Sequence, residues 1–168
     1  APRYPASITK VMTLYLAFEA LASGKIQLDD PVVFSPRAAA QAPTKLGVRA
    51  GDSITVLQAM QGMVTRSAND AAVAMAEKLG GTEQRFAALM TLRAQELGMS
   101  NTNFANANGL PDSRNISTAR DLAILSRAVM RDYPQYYRLF STKSFQFALI
   151  SYSWVPEMIS IRPDGDWS

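Results

Sequence analysis

The sequence contains neither cysteine nor histidine. Without cysteine there is no disulfide and no thiolate metal site, and the redox compartment is left open. Without histidine the chain lacks the commonest general base near neutral pH and the commonest zinc ligand, so a hydrolase built from it must deprotonate its nucleophile by another route. The longest apolar stretch, from Val11 to Ala22, is interrupted by Thr13 and Glu19 and is too short to span a bilayer. No signal-peptide pattern opens the chain, so an exported form is expected to have lost its targeting segment. Lysine and arginine nowhere form a run, and 17 basic against 14 acidic side chains leave a net charge of only +3. That balance argues against nucleic acid as a partner.

What is present describes one globular domain: 168 residues, 48% hydrophobic and 18% charged, enough to bury a core without covalent staples. Residues 7 to 22 are apolar on almost every side, which predicts a buried helix closed by Gly24. Residues 24 to 54 read as loops around one short helix, opened by the cap Ser35 and the first-turn Pro36. Three helices are expected next, from Thr55 to Val64, Ser67 to Leu79 and Thr82 to Leu97. In the last, Phe86, Leu89, Met90, Ala94 and Leu97 share a face that should meet Ala72, Met75, Ala76 and Leu79. Residues 98 to 116, with five asparagines, have loop composition. Thr118 to Asp121 forms a capping-box pattern opening a helix to Arg131, buried through Leu122, Leu125, Val129 and Met130, and Ser144 to Tyr152 reads as a strand.

Two small patterns bear on chemistry. Ser7 and Lys10 stand at i and i+3, roughly 5 to 6 Å apart between Cβ atoms on one helical face, a spacing suited to a nucleophile and its base. A lysine there is out of place structurally, because it sits near the positive end of the helix dipole and heads a helix that is otherwise buried. Both features lower an amine pKa, and a base at pH 7 needs a reduction of about 3 units, roughly 4 kcal/mol. The plain structural alternative makes Ser7 a cap and Lys10 a solvated first-turn residue. Ser-x-Asn occurs twice, at Ser67-Ala68-Asn69 and Ser113-Arg114-Asn115. The first opens a helix within the helical cluster, where a hydroxyl and an amide could face Ser7, and the second lies in a loop that a turn explains. Ser67 as a simple N-cap is the structural alternative.

Taken together these segments resemble the low-molecular-mass penicillin-binding proteins, the serine-type D-alanyl-D-alanine carboxypeptidases of bacterial cell walls. Pro5 to Thr13 resembles their nucleophile segment, and Thr65 to Ala71 their second motif. Leu97 to Ala123, through Gly109-Leu110 and Ser117 to Asp121, is similar to their loop-to-helix segment. The resemblance implies a mainly α chain forming the helical lobe of the α/β β-lactamase/transpeptidase-like fold, with most of the central antiparallel sheet missing. It divides the chain into a partial catalytic domain, residues 1–147, and an unmatched tail, residues 148–168. It makes Ser7 the acylated nucleophile, Lys10 the proton acceptor, Ser67 a proton relay and Asn69 a ligand of the substrate carbonyl. The implied reaction removes the terminal D-alanine from a peptidoglycan pentapeptide through an acyl-enzyme, with β-lactams acylating the same serine. It implies no metal and no organic cofactor, and a periplasmic or cell-envelope location, with any membrane anchor belonging to a longer parent.

One family motif has no counterpart. No Lys-Thr-Gly occurs, the nearest match being Thr142-Lys143-Ser144. The expectation is therefore a truncated or frame-altered member, weakly active or inactive on its own. The alternatives are a β-lactamase-like serine hydrolase, a non-catalytic helical module binding peptidoglycan or a partner protein, and a plain helical scaffold.

Overall fold

The computed structural model describes residues 8–142, 144–145 and 159–160. Its centre is a pair of buried helices, α1 (Thr9–Ala22) and α4 (Asn69–Gly80), around which the remaining elements are arranged. In α1 nearly every side is covered, as the absence of a polar stripe requires: Met12, Leu14, Ala17 and Phe18 have no exposed surface. Its one acidic residue, Glu19, meets Arg93 at 2.8 Å.

From Ala71 to Ala76, α4 is built of small side chains with one valine and one methionine, all fully buried. Small residues let neighbouring helices approach closely, and α3 (Val56–Arg66), α5 (Glu83–Glu96) and α1 all pack on α4. The α4–α5 approach is close at Gly80, where a Cβ would stand 2.8 Å from the Phe86 Cβ and 2.9 Å from its backbone. Alanine here would gain up to about 1 kcal/mol of helix propensity but overpack a backbone contact at a cost of about 1–3 kcal/mol. Gly80→Ala is therefore expected to lower stability by about 1 kcal/mol, read as a reduced urea midpoint at unchanged slope.

The helix starts follow the capping residues. Thr55, Thr82 and Thr118 each accept a backbone N–H three residues on, and Thr55 with Gln58 forms a reciprocal capping box. Ser35 caps the short α2 (Pro36–Ala39) in the same way. In α6 (Ala119–Asp132) the box is one-sided: the Asp121 carboxylate accepts instead from Asn101 N–H at 2.9 Å and Thr102 Oγ1 at 2.7 Å, fastening the loop that precedes the helix.

Several expectations are corrected. The stretch from 24 to 54 contains β1 (Pro31–Val33), which pairs antiparallel with β2 (Ser53–Thr55) in the register Val32 to Ile54. Leu89 is 45% exposed, and Ala87 is buried in its place, because α5 is rotated so that Phe86, Ala87, Met90 and Ala94 face inward. Met130 of α6 is likewise 46% exposed while Ala128 is buried. After α6 come α7 (Pro134–Tyr137) and a 3-10 turn (Arg138–Ser141), which lay Tyr133, Tyr136 and Phe140 around Phe18. Of the expected strand from 144 to 152, Ser144–Phe145 is observed as β3, paired antiparallel with β4 (Ile159–Ser160). The rest of that strand, and the tail from 148 apart from β4, lie outside the described residues.

Candidate active site

Lys10 lies in the first turn of α1 and is 2% exposed. Burial lowers its pKa to about 8. At that value about one lysine in ten is neutral at pH 7, against about one in 2,500 for a free side chain. The amine is held as well as desolvated, since Nζ donates to the Asn108 carbonyl at 2.8 Å. One helical turn on, Thr13 Oγ1 donates to the Ala107 carbonyl at 2.7 Å, so α1 grips two successive carbonyls of the asparagine-rich loop.

The asparagines shape that loop by side chain to backbone bonds. Asn106 Oδ1 accepts from Gly109 N–H at 2.8 Å, Asn108 Oδ1 from Leu110 N–H at 3.0 Å, and Asn115 Oδ1 from Ala105 N–H at 2.6 Å. Such bonds imitate backbone turns and hold a loop that has almost no regular structure. They aim the Asn108 carbonyl at the lysine.

Ser67 and Asn69 occupy the corner between α3 and α4. Ser67 does not open α4, contrary to its expected position. It ends α3 in the left-handed conformation, φ 53° and ψ 42°, and Ala68 is the residue preceding α4. Only two residues join the helices, and a left-handed residue makes so short a reversal feasible. A non-glycine residue pays a strain cost for it, of order 1 kcal/mol. Among the described residues the Ser67 hydroxyl has no hydrogen-bond partner, while its carbonyl accepts from Thr44 Oγ1 at 3.1 Å.

Without a serine cap, α4 is capped from outside. Asn69 N–H donates to the Thr44 carbonyl at 2.8 Å, and Asn69 Nδ2 donates to the Ala42 carbonyl at 3.1 Å. The fully buried Asp70 carboxylate accepts from Leu46 N–H at 2.9 Å, Gly47 N–H at 3.0 Å and Ala71 N–H at 2.9 Å. Residues 41 to 47 thus form a strap fastened to the corner that carries Ser67 and Asn69. The strap also touches the loop at Lys10, through Asn108 Nδ2 donating to Gln41 Oε1 at 3.0 Å.

Lys10, Ser67 and Asn69 therefore belong to one hydrogen-bonded assembly. Ser7 lies outside the described residues, two positions before α1 begins. Three contributors were not found from sequence: the Asn108 carbonyl, Gln41 and Thr44. The cluster of asparagines around Gly109 was the available signal for the first. Among the described residues no group of acidic side chains could hold a metal ion.

The arrangement matches known proteins over most of its length. The chain is 40% identical over 127 residues to D-alanyl-D-alanine carboxypeptidase DacF of Bacillus subtilis, covering 76% of this chain and 33% of that protein. The crystal structure of D-alanyl-D-alanine carboxypeptidase DacD from Francisella tularensis superposes with a TM-score of 0.87 at 35% identity, over 96% of this chain and 38% of that one. Penicillin-binding protein 5 from Haemophilus influenzae gives 0.83 at 36% identity, over 88% and 44%. The chain thus spans about a third of the length of the curated relatives it matches. The class defined is the helical lobe of the penicillin-binding, transpeptidase-like fold. The model of the peptidase S11 family, D-alanyl-D-alanine carboxypeptidase, matches residues 1–160, and the chain belongs to that family.

Proposed function

We propose that this chain carries the acylation half of a serine-type D-alanyl-D-alanine carboxypeptidase. The observation that supports this most directly is Lys10, a buried amine with a pKa lowered to about 8, held by a backbone carbonyl three residues after a serine. In this reading the neutral Lys10 amine takes the proton of the Ser7 hydroxyl as its oxygen attacks the carbonyl between two D-alanines. The tetrahedral intermediate collapses, the C–N bond breaks, and the leaving D-alanine nitrogen takes a proton relayed through Ser67. Water then hydrolyses the Ser7 ester. Asn69 contributes an amide beside the substrate carbonyl, and a β-lactam acylates the same serine by ring opening. The natural substrate is the pentapeptide of peptidoglycan, which places the protein in the periplasm or cell envelope.

No Lys-Thr-Gly supplies a substrate-carboxylate site within these residues, so acylation by the isolated chain is expected to be slow. Intact-mass analysis after incubation with benzylpenicillin tests the reading. A one-to-one adduct is expected for the chain as it stands, and none for Ser7→Ala. Equal labelling of the two, or none of either after prolonged incubation at high penicillin, overturns it.

A further inference from the structure

The hydrogen bonds of the site converge on a residue with no reactive group of its own. Gln41 follows α2, and its side chain bonds at both ends: Nε2 donates to the Arg37 carbonyl at 3.2 Å, and Oε1 accepts from Asn108 Nδ2 at 3.0 Å. The carbonyl of that same Asn108 receives the Lys10 amine. The next residue, Ala42, receives Asn69 Nδ2, and two further on Thr44 donates to the Ser67 carbonyl. The geometry points to Gln41 as a positioning residue, whose amide locks the strap at 41–44 to the loop at 105–110 and so holds the Lys10 amine in register with Ser67 and Asn69. The inference rests on the acylation reading above, because register matters only if these groups act on one substrate.

The loop is fixed to α1 through Lys10 and Thr13, and the strap is fixed to the α3–α4 corner through Ser67, Asn69 and Asp70. Among the hydrogen bonds of the described residues, Gln41 to Asn108 is the one that crosses from strap to loop. Asn108 is 2% exposed, so its amide donor needs a protein acceptor, and Gln41 supplies it. Arg37, whose carbonyl steadies the other end of Gln41, pairs with the buried Glu83 at the start of α5. The crossing is therefore anchored on both sides. Displacing a catalytic group by about 1 Å can cost about 100-fold in rate, so a hydrogen bond joining the two segments that hold Lys10 and Ser67 can matter to rate without touching substrate.

Gln41→Met keeps length and bulk while deleting the amide. Time courses of benzylpenicillin adduct formation over a range of concentrations separate initial binding from the acylation step. The acylation rate constant is expected to fall about 10- to 100-fold, with initial binding changed less than about 2-fold and the melting temperature lowered by a few degrees, because the buried Asn108 amide loses its acceptor. In an Asn108→Ala background, where the crossing bond is already absent, Gln41→Met should have no further effect. An acylation constant within 2-fold of wild type, or a full Gln41→Met effect persisting without the Asn108 side chain, overturns the inference. If the wild-type chain forms no adduct, the acylation reading fails and the lock is read separately. Amide hydrogen exchange at Gly109 and Leu110, whose N–H groups bond Asn106 and Asn108, should then accelerate at least about 10-fold in Gln41→Met. Unchanged exchange there overturns the lock itself.

Discussion

Under the proposed mechanism, Lys10→Met is expected to slow acylation of Ser7 by about 10²- to 10⁴-fold, the range spanned by loss of a general base, while leaving the chain folded. Met fills a similar volume in an apolar surround, and it removes an ammonium that the fold disfavours. Lowering the amine pKa from 10.5 to about 8 costs the folded state about 3 kcal/mol wherever the lysine is protonated. Against that relief stands the Asn108 carbonyl, which loses its donor at about 1–3 kcal/mol. The two nearly offset at neutral pH, so activity falls without a matching loss of stability. The pH dependence separates them. Below pH 8 the lysine is protonated in both folded and unfolded chains, and its full cost is present. Between 8 and 10.5 the unfolded chain binds more protons, so wild-type stability rises with pH relative to Lys10→Met by up to 1.4 kcal/mol per unit; above 10.5 the cost is gone. Urea titrations of both proteins at several pH values check this. A flat difference would show that the amine is not desolvated, and the acylation chemistry would lose its base.

That burial was legible from sequence, because a lysine at the head of a helix with no polar face has nowhere wet to go. Four other helices were legible from their caps, since α2, α3, α5 and α6 each begin at a serine or threonine whose side chain closes the first turn; α1 was legible from its nearly unbroken apolar run. The ribbon of β1 and β2 was not, since three-residue strands burying only Val32 and Ile54 are too short to show alternation. Nor was the conformation of Ser67. A serine before a helix is most simply read as its cap, and only the two-residue connection between α3 and α4, a tertiary fact, makes it left-handed. Beside the Gln41 amide and the Thr44 hydroxyl, the site's remaining parts are backbone carbonyls, of Asn108, Ala42 and Thr44, which any residue type could provide. Side-chain patterns single out candidate reactive groups, and they say little about the main-chain groups around them.

Asp70 shows how strongly that main-chain arrangement depends on one side chain, and Asp70→Ala is expected to cost about 3 kcal/mol or more. Burial pushes its carboxyl pKa up, and N–H groups of Leu46, Gly47, Ala71 and Val48 pull it down without fully compensating. The charge is therefore not favourable in itself, and removing it gives some relief. What alanine leaves behind is worse: the N–H groups of Leu46, Gly47 and Ala71 lose their acceptor, at about 1–3 kcal/mol for each that stays buried. Three orphaned donors outweigh one desolvated carboxylate. Asp70→Asn keeps one acceptor oxygen without the charge, and is expected to cost less than half as much. Because the folded carboxyl titrates above its unfolded value of about 4, the folded chain binds more protons in that window. Wild-type stability should therefore fall relative to Asp70→Asn as pH rises through it. The strap from 41 to 47 is held to α4 by these bonds, so Asp70→Ala should also release Thr44 and Ala42 from Ser67 and Asn69. Denaturation midpoints together with amide exchange at Leu46 and Gly47 test both consequences, and an alanine variant as stable as wild type would show that the strap is held elsewhere.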